Sequence, residues 1–163
     1  MAKYFIIAGE ASGDIHGASL IRALRQEDAK AQFQFLGGDM MAEAAGVKPL
    51  IHYRDMAYMG FVEVLKHLPT ILGFMATAKK AIMDNRPDAV ILIDYPSFNL
   101  KIAKFAHDKG IPCFYFISPK VWVWKEYRVK QIKRYIARLF SILPFETAFF
   151  RKHDYEVEYV GNP

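Results

Sequence analysis

Apolar residues along the chain fall into two kinds of run. Short unbroken stretches such as Tyr4-Phe5-Ile6-Ile7 and Val90-Ile91-Leu92-Ile93 lack polar alternation, as strands buried on both faces of a parallel sheet do. Longer stretches repeat their apolar positions at helical spacing. The first kind predicts strands at Tyr4–Ala8, Phe33–Leu36, Val47–Ile51, Ala89–Ile93, Cys113–Ile117, Leu139–Leu143 and Val157–Val160. The second predicts helices at Gly17–Gln26, Met40–Ala45, Thr70–Asn85, Asn99–Lys109, Lys125–Tyr135 and Glu146–Lys152. Strands alternating with helices define the α/β class, a Rossmann-like doubly wound and mainly parallel sheet with helices on both faces. No internal repeat or low-complexity stretch interrupts the pattern.

Composition narrows what such a fold serves. At 163 residues, with 53% hydrophobic and 24% charged, the chain suits one globular domain and is not a disordered segment. Cys113 has no second cysteine to pair with, which excludes an internal disulfide framework or thiolate metal site and fits a reducing, cytoplasmic setting. Lys3 leads straight into a strand-length apolar run, unlike a signal peptide. The net charge of +5 suits nucleic acid, an anionic membrane surface or phosphorylated small molecules alike. The basic residues cluster between Lys125 and Arg138 without a nucleic-acid motif, so no nucleic-acid partner is expected. The histidines (His16, His52, His67, His107 and His153) are scattered, and no metal or other cofactor is expected.

Ligand sites in doubly wound sheets form beyond the carboxyl ends of the strands. The segments expected there are Gly9 to Asp14, Gly37 to Asp39, Asp94 to Asn99, Ser118 to Trp124 and Pro144 to Glu146. The first, within Ala8-Gly9-Glu10-Ala11-Ser12-Gly13-Asp14, reads as a glycine-rich turn of the kind that cradles a pyrophosphate, yet its two carboxylates would repel one. Gly37-Gly38 reads as a plain turn. Asp94 ends an apolar strand, beside Glu10 if the first and fourth strands are neighbours. A carboxylate there either accepts a proton from a substrate hydroxyl, helped by a second carboxylate nearby, or caps the following turn. Asn99 is likewise open to a ligand or a capping role, as are Ser12 and Asp14 at the first helix.

Taken in order, Gly9 to Asp14 with Gly17, Met59 to Leu65 (MGFVEVL), Ile93 to Asn99 (IDYPSFN), Ser118 to Trp124 (SPKVWVW), Arg128, Leu143 to Glu146 (LPFE) and Val160 to Pro163 (VGNP) resemble the lipid-A-disaccharide synthase family across essentially the whole chain. Four positions depart from the commonest forms: Ser97 replaces an acid, Lys120 a small polar residue, Val123 an alanine and Asn162 a histidine. The resemblance implies one half of a glycosyltransferase B architecture. Residues 1–163 would be the amino-terminal, acceptor-side domain, while a carboxyl-terminal domain absent here would hold most of the nucleotide sugar. The first turn then has no pyrophosphate to hold, and carboxylates suit sugar hydroxyls.

The implied reaction transfers diacylglucosamine, with inversion, from UDP-2,3-diacylglucosamine to the 6-hydroxyl of 2,3-diacylglucosamine 1-phosphate. The products are lipid A disaccharide 1-phosphate and UDP. On this resemblance Asp94 and Glu10 are the catalytic candidates, with weight added to both by the loss of an acid at Ser97. Substrate contacts fall to Ser12, Gly13, Asp14, Met59, Asn99, Ser118, Trp122, Arg128 and Glu146. Acylated substrates need an apolar approach, and the stretch from Met56 to Met75 is apolar but broken by Glu63, Lys66, His67 and Pro69, unlike a membrane span. It either packs as ordinary core or faces acyl chains and inner-membrane lipid through Leu65, Leu68, Ile71, Leu72, Phe74 and Met75, with Lys79-Lys80 near phosphates. The second alternative makes a peripheral protein on the cytoplasmic face of the inner membrane.

Overall fold

The computed structural model describes residues 1–56, 66, 68–117 and 127–161. Its strands are β1 (Lys3–Ala8), β2 (Gln32–Gly37), β3 (Ile51–His52), β4 (Ala89–Ile93), β5 (Cys113–Phe116), β6 (Arg138–Ser141) and β7 (Glu158–Tyr159). The helices are α1 (Ala11–Glu27), α2 (Asp39–Ala45), α3 (Tyr53–Met56), α4 (Leu68–Asn85), α5 (Pro96–Asp108), α6 (Tyr127–Tyr135) and α7 (Pro144–Arg151). The seven strands form one sheet in the order β3-β2-β1-β4-β5-β6-β7. Every pairing is parallel.

Alternation along the strands divides the core between two faces. Phe5, Ile7, Val90 and Leu92 join one cluster, against α4, α5, α6 and α7 through Met75, Ile82, Ile102, Ile132 and Phe150. Ile6, Ala8, Ile91 and Ile93 join the other, against α1 and α2 through Ala18, Ile21 and Met41. Burial on both faces is why these strands read as unbroken apolar runs. Strands β1 and β4 are neighbours, with Ala8 opposite Ile93, so their carboxyl ends leave the sheet side by side. After β1 the chain works outward to β2 and β3 and then returns on the other flank of β1 as β4. That reversal opens a crevice between the two loops.

Three of the boundaries that differ from expectation do so for a clear local reason. Helix α1 begins at Ala11, six residues before the expected Gly17, so the loop after β1 is only Gly9 and Glu10. The glycines that suggest a turn are packing residues: a Cβ on Gly13 would lie 3.1 Å from the Ala8 Cβ, and one on Gly17 2.6 Å from the Met41 sulfur. Strand β3 is Ile51–His52 and keeps only Ile51 of a strand expected over Val47–Ile51; Pro49 has no N–H for a ladder, and Val47 and Leu50 are exposed. Helix α5 starts at Pro96 rather than Asn99, with proline in the first turn, where its missing N–H costs nothing.

Candidate functional site

The crevice between β1 and β4 is built around a strained turn. Asp94 and Tyr95 have φ values of 45° and 49°, two consecutive left-handed residues that are not glycine. Such a conformation persists only where surrounding contacts enforce it. Two buried side chains do so by gripping the Asp94 carbonyl oxygen: Asn99 Nδ2 donates to it at 2.8 Å and the Tyr115 hydroxyl at 2.5 Å. Both donors are fully buried. Asn99 Nδ2 also reaches the Ile93 carbonyl at 3.4 Å, so its side chain turns back onto β4 instead of capping α5. The residue at the cap of α5 is Tyr95, without a side-chain cap bond.

Tyr95 ties this turn to its neighbours. Its ring lies on Gly9, where a Cβ would come within 2.5 Å of the ring carbons, and its hydroxyl donates to the Met56 carbonyl at 3.3 Å. Burial, and after it the Glu10 carboxylate, raises the Tyr95 phenol above its ordinary range. Glu10 thus lies near Tyr95, on the loop after β1, as Asp94 lies on the loop after β4. Glu10 is exposed, and Ser12 donates to it at 3.3 Å. Burial first, and then the Asp94 carboxylate, holds the Tyr115 phenol well above its usual range, while Asn99 and Arg128 act in the opposite direction. Arg128 donates to the Ser97 hydroxyl at 3.2 Å, which brings the cation of α6 to the start of α5.

Asp14 has a different position from the one its motif suggests. It is 4% exposed, and its carboxylate accepts from the backbone N–H groups of Gly38 (2.9 Å), Met41 (3.0 Å) and Met40 (3.1 Å). It thus caps α2, not the first helix. Gly38 lacks a side chain because a Cβ there would lie 2.6 Å from Asp14 Oδ2. Gly13 is buried against Ala8 and Ile93 at the ends of β1 and β4. Glu146 is buried in the first turn of α7, at the end of β6, two strands from Asp94. Met59, Ser118 and Trp122 lie outside the described residues, as do Leu65 and the departures at Lys120, Val123 and Asn162.

A groove of about 470 Å³ opens beside the turn, bounded by Tyr95, Ser97, Phe98 and Lys101 on one side and by Leu68, Ile71, Leu72, Met75 and Lys79 of α4 on the other. Met56 also lines it. Leu68 and Leu72 are 45% and 56% exposed. Phe74 departs from the expected apolar set: it falls about 100° around the helix from Met75 and packs against the main core. Lys80 is engaged by Asp84 at 2.5 Å and does not line the groove. Among the described residues no helix is long and apolar enough to cross a membrane. Tyr95, Tyr115 and Lys101 are the residues that sequence reading missed. A tyrosine in the buried run Cys113 to Phe116 was the available signal, because a buried phenol needs a hydrogen-bond partner.

Solved structures share this fold. The UDP-GlcNAc 2-epimerase from Neisseria meningitidis bound to UDP-GlcNAc aligns with a TM-score of 0.68 at 12% identity over 98% of this chain and 46% of its own. MurG from Acinetobacter baumannii aligns with a TM-score of 0.57 at 13% identity, over 100% of this chain and 46% of its own. The likeness is one of fold, and it defines the molecule as a Rossmann-like half of a glycosyltransferase B architecture. The family model described as lipid-A-disaccharide synthetase matches residues 4–163, and the chain belongs to that family. The lipid-A-disaccharide synthase of Acidobacterium capsulatum is 45% identical over 98% of this chain, and that of Trichlorobacter lovleyi 45% over 99%. These alignments take in 40% and 42% of the respective relatives, so the chain spans about two fifths of the length of the curated relatives it matches.

Proposed function

We propose that residues 1–163 form the acceptor-side domain of an inverting glycosyltransferase that joins UDP-2,3-diacylglucosamine to 2,3-diacylglucosamine 1-phosphate. The observation that supports this reading is the Asp94 turn: a strained, doubly clamped backbone places Asp94 at the end of β4, beside the strand whose loop carries Glu10. The acceptor 6-hydroxyl oxygen attacks the anomeric carbon from the face opposite the diphosphate. Its proton passes to Asp94, and the bond from the anomeric carbon to the diphosphate breaks with its electron pair leaving on UDP. Glu10, held by Ser12, orients sugar hydroxyls, and Arg128 supplies positive charge near Ser97. The nucleotide binds mainly on a second domain, and the exposed leucines of α4 rest against acyl chains at the cytoplasmic face of the inner membrane.

In this reading the 163-residue chain binds acylated sugar phosphate without turnover, because the donor is not positioned. The test is the rate in the longer protein. A general base contributes about a hundredfold to ten-thousandfold, so Asp94→Asn lowers turnover by that order with the thermal midpoint preserved, and Glu10→Gln lowers it less. Near wild-type turnover in Asp94→Asn removes Asp94 from the role of base and leaves Glu10 as the candidate.

A further inference from the structure

The lysines of α4 and α5 divide into two kinds. Lys80 pairs with Asp84 at 2.5 Å and Lys104 with Asp108 at 3.0 Å, each one helical turn apart. Lys79 and Lys101 have Met83 and Phe105 at the corresponding positions, and neither makes an ion pair among the described residues. These two are the lysines that line the groove. Lys79 extends the α4 stripe of Leu68, Leu72 and Met75 by a further turn, and its ammonium sits 5.5 Å over the Phe105 ring, half-buried alongside α5. Lys101 follows Ser97 by one turn on α5 and meets the same cavity from the other wall.

We propose that Lys79 and Lys101 are a phosphate clamp and that the groove holds one molecule carrying both a phosphate monoester and an acyl chain. This rests on the reading above and names the part of the acceptor that the groove takes. Two lysines lining one apolar cavity, neither in an ion pair among the described residues, attract an anion more strongly than the paired surface lysines do. The floor between them is apolar, with Ile71, Met75 and Phe98, so a bare phosphate leaves it wet while an acyl chain covers it. From Leu68 to Lys79 the wall runs about 16 Å along α4, a span that accommodates an extended alkyl chain with its head at the lysine end. The same cavity also reaches Tyr95 and Ser97.

The test titrates this chain calorimetrically with dodecyl phosphate below its micellar concentration, with neutral dodecyl maltoside, with inorganic phosphate and with phosphatidylglycerol vesicles. Lys79→Gln with Lys101→Gln is expected to weaken dodecyl phosphate at least tenfold and to leave dodecyl maltoside within about twofold. Lys80→Gln with Lys104→Gln should change neither, and Leu72→Glu should weaken both amphiphiles. Thermal midpoints confirm that each variant is folded. Equal losses in the two double variants, inorganic phosphate binding as tightly as dodecyl phosphate, or losses confined to vesicles would each overturn the clamp, the last in favour of a membrane-surface role. Transfer by the longer protein with an unchanged acceptor KM in Lys79→Gln/Lys101→Gln also overturns it while the catalytic reading stands. Clamp binding without transfer by the wild-type longer protein has the reverse meaning.

Discussion

Asp94, Tyr95 and Asp14 show how single polar residues organise this domain. The left-handed pair at Asp94 and Tyr95 is held by hydrogen bonds from Asn99 and Tyr115 to the Asp94 carbonyl oxygen, at the end of β4. Asp14 instead spends both carboxylate oxygens on three backbone N–H groups at the start of α2. Asp14→Ala leaves buried donors of Gly38 and Met41 without partners, so it is expected to cost about 2–3 kcal/mol by chemical denaturation. Asp14→Asn should cost less, since its amide oxygen still accepts. A stability unchanged in Asp14→Ala would show that α2 does not depend on this cap.

Helix α4 separates two roles that its sequence runs together. Leu68 and Leu72 recur at helical spacing along the groove, Met75 carries their line into the core, and half-buried Phe74 packs against the core off that line. The two faces predict opposite outcomes for the same substitution. Leu72→Glu, at a side chain 56% exposed, should leave the thermal midpoint within a degree or two, while Phe74→Glu places a charge against the core and should lower it by several degrees. Equal midpoints for the two variants would mean that the helix is rotated from this description. Helix α1 carries a parallel lesson: Gly13 and Gly17 lower its intrinsic propensity, and close contact with Ala8 and Met41 compensates.

The sheet as a whole sets the alkaline limit of stability. Burial in β5 pushes the Cys113 thiol above its ordinary value of 9.0, so the folded state keeps it protonated while the unfolded chain ionises. A raised pKa contributes stability that is complete below the unfolded value and declines as pH rises past it. The thermal midpoint is expected to hold to about pH 9 and then fall, with a slope approaching 1.4 kcal/mol per pH unit for this one group. Cys113→Ala should move the onset toward pH 10, where the raised phenols of Tyr95, Tyr115 and Tyr155 take over. An unchanged onset in Cys113→Ala would remove the thiol from this linkage.

The doubly wound fold was legible because burial on both faces of β1 and β4 forces unbroken apolar runs, and that requirement acts on each strand separately. The place of Asp94 at the end of β4 was legible for a similar reason, as the first charge after such a run. Asp14 was misread because its partners in α2 are more than twenty residues away, and the glycines beside it answer to Ala8 and Met41, not to a turn. Tyr115 and Lys101 carry no local signal that names their targets. Local pattern fixes which residues must leave water, since that depends on composition along one element. Which polar group meets which depends on how β1, β4, α4 and α5 are set side by side, and only the tertiary structure decided that.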